Sequence, residues 1–188
     1  MLFYTTSPDN SGIAVMSTIK TLIDLAYRLA FNLAYRLHLL WNFLFRPECH
    51  GVWVAVWSGE QLLLVKNSYR HCITLPGGSI DSGEKPVDAA LRELREEVAI
   101  DVAAKDLSFW GQYISLAEYK YDHINLFELQ LANPPQYTLD NREVSWGCIC
   151  RPQQALAMNL FPALRTYLQD KHAGRRPDAP YTGFPSSS

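Results

Sequence analysis

Four glutamates, Glu84, Glu93, Glu96 and Glu97, follow a Pro76-Gly77-Gly78 turn in the stretch Leu75–Ile100. Glu93 and Glu97 are four apart, and on a helix such a like-charge pair costs a few tenths of a kcal/mol. A divalent cation would turn that repulsion into coordination. Hard ions such as Mg²⁺ take oxygen ligands and are commonly held by a few carboxylates together with substrate phosphates. The glycine turn lets the backbone come close, so a glycine carbonyl could add a ligand. The plain alternative is a solvated face whose repulsion is moderated by Arg92 and Arg95.

The elements that must position these groups are legible from their neighbours. A helix is expected from about Pro86 to Val98, with Pro86 at its first position and Asp88 near its positive end. At 100° per residue, Leu91, Leu94 and Val98 form an apolar stripe, extended by Val87 and Ala90. Glu93, Glu96 and Glu97 fall on a different face, within an arc of about 100°. Before the helix, "GVWVAVW" and "QLLLVK" read as a hairpin and "HCITL" as a short third strand. Trp53 and Trp57 share one side of the first strand, which reads as core packing. After the helix, "LSFWGQYISL", "HINLFELQL" and "EVSWGCIC" read as strands. Short helices are expected near Pro152–Met158 and Phe161–Lys171. One central helix and late helices around a mixed β pattern predict an α/β sandwich.

Outside that unit, residues 1–16 read as a flexible N-terminus and residues 172–188 as a disordered tail rich in Pro, Gly and Ser. Residues 17–46 read as an amphipathic helix, from about Ser17 to Phe45 and closed by Pro47. Its polar residues Lys20, Asp24, Arg28, Asn32 and Arg36 recur at every fourth position on an otherwise apolar rod. Three readings of it stay open: packing on the domain or on a second copy, lying in a membrane interface, or spanning a bilayer. Arg36 and His38 interrupt the best spanning window. The 188 residues carry a formal net charge of −2, so no DNA partner is expected. Cys49, Cys72, Cys148 and Cys150 form no C-x-x-C pair, which suits reduced thiols and a cytoplasmic protein, with a peripheral membrane association through residues 17–46 in view.

Gly78, five residues, Glu84, seven residues, then Arg92-Glu93-Leu94-Arg95-Glu96-Glu97-Val98-Ala99-Ile100 is similar to the Nudix box. Ala99 stands where that pattern has Gly; an alanine there costs on the order of 1 kcal/mol if the residue must be left-handed, and removes no ligand. The resemblance extends over residues 51–171 and implies a Nudix-type α/β/α sandwich with a mixed sheet. It implies a hydrolase that cleaves the pyrophosphate linkage of a nucleoside diphosphate joined to another moiety, with Mg²⁺ or Mn²⁺. The alternative is a catalytically silent nucleotide-binding domain, associated with a membrane surface.

By the same resemblance Glu93, Glu96, Glu97 and the Gly78 carbonyl are metal ligands, Arg92 orients the carboxylates, and Arg92, Glu93 and Glu96 carry the catalysis. Glu84, with Gly77, is structural in the motif. The base that takes the proton of the attacking water is open; Glu118, Asp122 and Glu143 are candidates beyond the box, each with an ordinary surface role as its alternative. Tyr69 and Arg70 are candidates to stack a base and hold a phosphate. The substrate is not legible. The Pro that marks many ADP-ribose enzymes is absent between Asp101 and Asn133, and Tyr119 is a weak marker for dinucleoside polyphosphates.

Overall fold

A computed structural model describes residues 11–177, with side chains from residue 21 onward. The first ten residues of the expected flexible terminus and the end of the tail, 178–188, lie outside the described residues. The elements are α1 (Ser11–Phe45), β1 (Glu48–Ser58), β2 (Gln61–Asn67), α2 (Pro86–Val98), β3 (Leu107–Ser115), β4 (Tyr121–Leu131), β5 (Val144–Cys150), α3 (Pro152–Leu156) and α4 (Pro162–His172). Helix α1 begins at Ser11, ahead of the expected Ser17, so residues 11–16 of the expected flexible terminus are helical.

The five strands form one mixed sheet in the order β3-β4-β1-β2-β5. β1 and β4 run parallel and the other neighbours antiparallel. Side chains alternate across β1, so the sheet has two buried faces. Trp53, Ala55 and Trp57 pack with Leu164, Tyr167 and Leu168 of α4. Val52, Val54 and Val56 pack on the other side with Ala90, Leu94 and Val98 of α2. The result is the expected α/β/α sandwich.

Two local expectations need correction. His71–Leu75 is not a strand; it makes only isolated bridges, Thr74 with Val65 and Ile73 with Leu160. β2 pairs with only the far end of β1, at Trp57 and Ser58. The chain after Pro76 fills the space left beside the first half of β1. Val54 N donates to Pro76 O, Val52 N to Gly78 O, and Ile80 N to the His50 carbonyl. Pro76 O, Gly78 O and Ile80 N are thus paired with β1, which brings the glycine turn against the sheet.

On α2 the buried face is rotated from the predicted stripe. Ala89, Ala90, Leu94, Glu97 and Val98 are buried, while Leu91 is partly exposed. Glu97 thus lies within the buried face and not on a separate acidic one. The helix ends as the departure at Ala99 required: Ala99 is left-handed, at φ 57° and ψ 32°, and Ile100 N donates to Leu94 O at 3.1 Å.

Candidate active site

The glycine turn and α2 are fitted to each other atom by atom. Gly77 N donates to Glu97 Oε2 at 2.8 Å. Gly77 has φ +147°, and a Cβ there would stand 2.1 Å from Val52 O, so only glycine fits. At Gly78 the crowding is different: a Cβ would stand 2.5 Å from Glu93 Oε1. The missing Cβ is the space in which the Glu93 carboxylate sits. Burial pushes the Glu97 carboxyl well above the usual range, opposed by the Gly77 hydrogen bond and reinforced by Glu93. Burial also raises Glu93, with Arg92 opposing.

Arg92 organises the motif. Its Nε and Nη2 donate to the two Glu84 oxygens at 3.0 Å each, a two-pronged pairing, and Nη2 also donates to Ser79 O at 3.0 Å. Nη1 donates to Glu93 Oε1 at 2.7 Å and reaches Glu96 Oε2 at 3.4 Å. Glu84 Oε2 accepts from Asp81 N at 3.0 Å, tying the loop to the helix. Hydrogen bonds from Arg92 and Asp81 N hold the Glu84 carboxyl below its usual range. Glu96 is exposed.

Across the cleft, Arg70 faces Glu118. Its Nε lies 2.9 Å from Glu118 Oε1 without hydrogen-bonding alignment, and Nη2 donates to Oε2 at 3.1 Å. Tyr35 of α1 donates to Glu118 Oε1 at 2.8 Å, and Asn42 Nδ2 donates to the Glu118 carbonyl at 3.1 Å. Glu118 and Tyr119 are both left-handed, at φ 62° and 59°. Two successive non-glycine residues in that region carry strain, which the bonds from α1 and Arg70 hold in place. Tyr69 donates to Glu143 Oε1 at 2.6 Å, and its ring packs on Phe31 and Tyr35 of α1. Lys120 pairs with Asp122 at 2.8 Å.

These groups surround a cavity of about 300 Å³. Its lining includes Gly77, Gly78, Arg92, Glu93 and Glu96 from the motif, and Tyr69 and Arg70 opposite. Five acidic side chains, Asp81, Glu93, Glu96, Asp122 and Glu143, line it against three basic ones. Each of those three cations, Arg70, Arg92 and Lys120, is already paired with a carboxylate. Among the described residues no group of three His, Cys, Asp or Glu side chains is arranged to hold a metal ion. The donor chemistry nonetheless suits a hard divalent ion. The wall offers carboxylate and backbone oxygens, an excess of negative charge, and a carboxylate seated in a glycine cradle.

Residues 48–170 match the family model of the NUDIX domain. The chain belongs to the Nudix family. Over 76 residues it is 37% identical to an RNA pyrophosphohydrolase of Bartonella clarridgeiae, a stretch covering 35% of this chain and 44% of that protein. Over 61 residues it is 41% identical to an RNA pyrophosphohydrolase of Bartonella tribocorum, covering 28% of this chain and 35% of that protein. The matches therefore span less than half of either relative's length. Among solved structures, a C. elegans Ap4A hydrolase superposes with a TM-score of 0.58 at 23% identity, covering 67% of this chain and 96% of that one. A MutT protein from Methanosarcina mazei gives 0.61 at 17% identity, covering 69% and 96%. These two likenesses speak to the fold. Members of the Nudix family generally use divalent metals and hydrolyse pyrophosphate bonds in nucleotide-type substrates.

Within this Nudix domain the structure brings Arg92, Glu93, Glu96, Gly77, Gly78, Tyr69 and Arg70 to one cavity. Glu97 stands behind the glycine turn, and Glu84 behind Arg92. Of the three outlying carboxylates, Asp122 and Glu143 line the cavity, whereas Glu118 is spent on Arg70 and Tyr35. Lys120 and Phe161 were not singled out from the sequence. Phe161 meets Trp53 edge to face at 5.4 Å, and both line the cavity. No local pattern points to either, because β4 and the start of α4 reach the site only through the sheet.

Proposed function

We propose that the chain hydrolyses the pyrophosphate linkage of a nucleoside diphosphate joined to another moiety, and that it needs Mg²⁺ or Mn²⁺ to do so. The observation that carries this reading is the charge of the cavity. A diphosphate entering it meets an acidic excess, with every lining cation already neutralised by a carboxylate. Binding a polyanion there requires positive charge that the described lining does not leave free. Glu93, Glu96, Glu97 and the Gly78 carbonyl are the groups we assign to hold it. Bound divalent ions would supply shielding of the phosphate charge and a more acidic water.

The chain's own residues divide the remaining work. Arg92 fixes the Glu93 carboxylate by a 2.7 Å bond while Glu84 fixes Arg92. The Gly77 N–H locks Glu97. Neither glycine carries a side chain to obstruct the diphosphate. Glu143 and Asp122 line the cavity and are the outlying carboxylates we assign to accept a proton from water, and Tyr69 and Arg70 line the wall opposite the motif. The name of the Bartonella relatives, RNA pyrophosphohydrolase, supports RNA among the substrates to be tested.

The test is turnover of a panel by wild type and Glu97→Gln with and without Mg²⁺ or Mn²⁺. The panel holds ADP-ribose, dinucleoside polyphosphates, nucleoside triphosphates, nucleotide sugars, NADH and 5′-triphosphorylated RNA. Metal-dependent cleavage lost at least about 100-fold in the variant is expected, since the charge change removes a metal-holding group without changing its shape. A folded wild type that binds nucleotide yet turns over none of the panel would replace the hydrolase with a silent binding domain.

A further inference from the structure

Helix α1 docks with its polarity reversed. Four of its polar residues are spent on the domain: Asp24 pairs with Arg142 at 3.5 Å, Arg28 donates to Asn141 O at 3.0 Å, and Tyr35 and Asn42 hold Glu118. The opposite side is left in water. Leu22, Leu29, Leu33, Leu37, Leu40 and Leu44 are each 57–63% exposed. Leu25, Trp41, Phe43 and Phe45 flank them, also exposed. At 100° per residue these positions cover an arc of about 200° along roughly 35 Å of helix. An apolar face of that size, interrupted by the exposed Arg36, exceeds what ordinary soluble surfaces show and marks a contact.

We propose that this outward face of α1 seats the protein on a lipid bilayer surface, the helix lying in the plane of the interface. No described helix is long and apolar enough to cross a membrane, so the contact is from one side. The competing occupant is a second copy. Ala26, Ala30, Leu33, Leu37, Leu40 and Leu44 do follow alternating four- and three-residue spacing. A helix pair on that seam covers a narrow stripe of the helix, however, and leaves Leu25 and Phe45 wet. The positions flanking the seam are Tyr27, Leu29, Ala34, Arg36, Trp41 and Phe43, which offer Arg36 no acidic partner in either orientation.

A bilayer answers both objections. It covers the whole arc to a depth of about 5–10 Å, and it accepts aromatic side chains at headgroup level. No acidic residue occurs between Leu25 and Pro47, whereas Arg36 and Arg46 are exposed there. That asymmetry suits anionic headgroups.

The test is flotation of the full chain with vesicles of phosphatidylcholine alone, or with about one-third phosphatidylserine, beside light scattering of the vesicle-free protein. Wild type is expected to float, and more strongly with phosphatidylserine. Leu33→Glu/Leu37→Glu should lower the bound fraction at least about tenfold with unchanged melting, because both side chains are already exposed. Arg36→Glu should remove several-fold of the phosphatidylserine-dependent part only. Wild type that stays at the bottom with both vesicles overturns the proposal. So does flotation equal in wild type and the leucine variant, or a stable dimer that does not float and that the leucine variant splits, which would assign the face to a second copy.

Discussion

Gly78→Ala separates folding from chemistry at one atom. Gly78 lies outside the left-handed region, so its backbone accepts alanine. The new Cβ would stand 2.5 Å from Glu93 Oε1, 2.8 Å from Cδ and 3.0 Å from Oε2. Ordinary contact begins at 3.4 Å, so the carboxylate must retreat by about 1 Å and loosen its 2.7 Å bond to Arg92. It is the far end of a flexible side chain, and stability should fall by no more than about 1 kcal/mol. A 1 Å misplacement of a reacting or metal-holding group costs about 100-fold in turnover, or about 2.7 kcal/mol of barrier. The assay pairs thermal melting with turnover on the best substrate of the panel. Gly77→Ala is the contrast: its Cβ would meet backbone, Val52 O at 2.1 Å, at φ +147°, and the loss should appear in folding, by more than about 3 kcal/mol. Gly78→Ala that melts like wild type and keeps turnover within about threefold would refute the placement of Glu93 at the chemistry.

Three further outcomes follow from the same geometry. Ala99→Gly relieves a left-handed alanine and should stabilise by about 0.5–1 kcal/mol, raising the melting temperature by about 1–4 °C with activity unchanged. Glu84 has a folded pKa below its unfolded value, so its stabilisation is present above about pH 5 and is lost as pH falls through the folded pKa. The melting gap between wild type and Glu84→Gln should therefore be constant near neutrality and close in acid. Lys171 donates to both oxygens of buried Glu128, at 2.6 and 2.7 Å, and Tyr167 donates to the same carboxylate. Lys171→Met should cost about 2–4 kcal/mol in urea unfolding, and adding Glu128→Gln should recover part of it, since the stranded charge is then gone.

The parts of this protein that the sequence determined by itself are those set by near neighbours. Pro86 and the Val98-Ala99 exit bound α2 at the residues expected, because first-turn proline and a left-handed terminus are local chemistry. The spacing from Gly78 to Glu97 is likewise local, and it placed the motif on one turn and one helix. β-branched and aromatic runs marked β1 to β5, since alternation needs only a pleated strand with a buried face.

Tertiary structure decided the rest. Periodicity shows that α1 has two faces but not which one a domain will take, and here the polar face docked because Arg142, Asn141 and Glu118 could satisfy it. Whether His71–Leu75 is a strand depended on how far β2 stays beside β1, which no local pattern states. By helical spacing Glu97 reads as one of three carboxylates on a face separate from the apolar stripe. It is buried because the turn at Gly77 offers a backbone N–H at the spot where α2 meets β1. The pairing of Arg70 with Glu118, and the net charge of the cavity that Arg70 lines, exist only once β4, the glycine turn and α1 converge. Long-range contacts select among the faces and partners that a local sequence leaves available, and so they alone decide which charges remain free to meet a substrate.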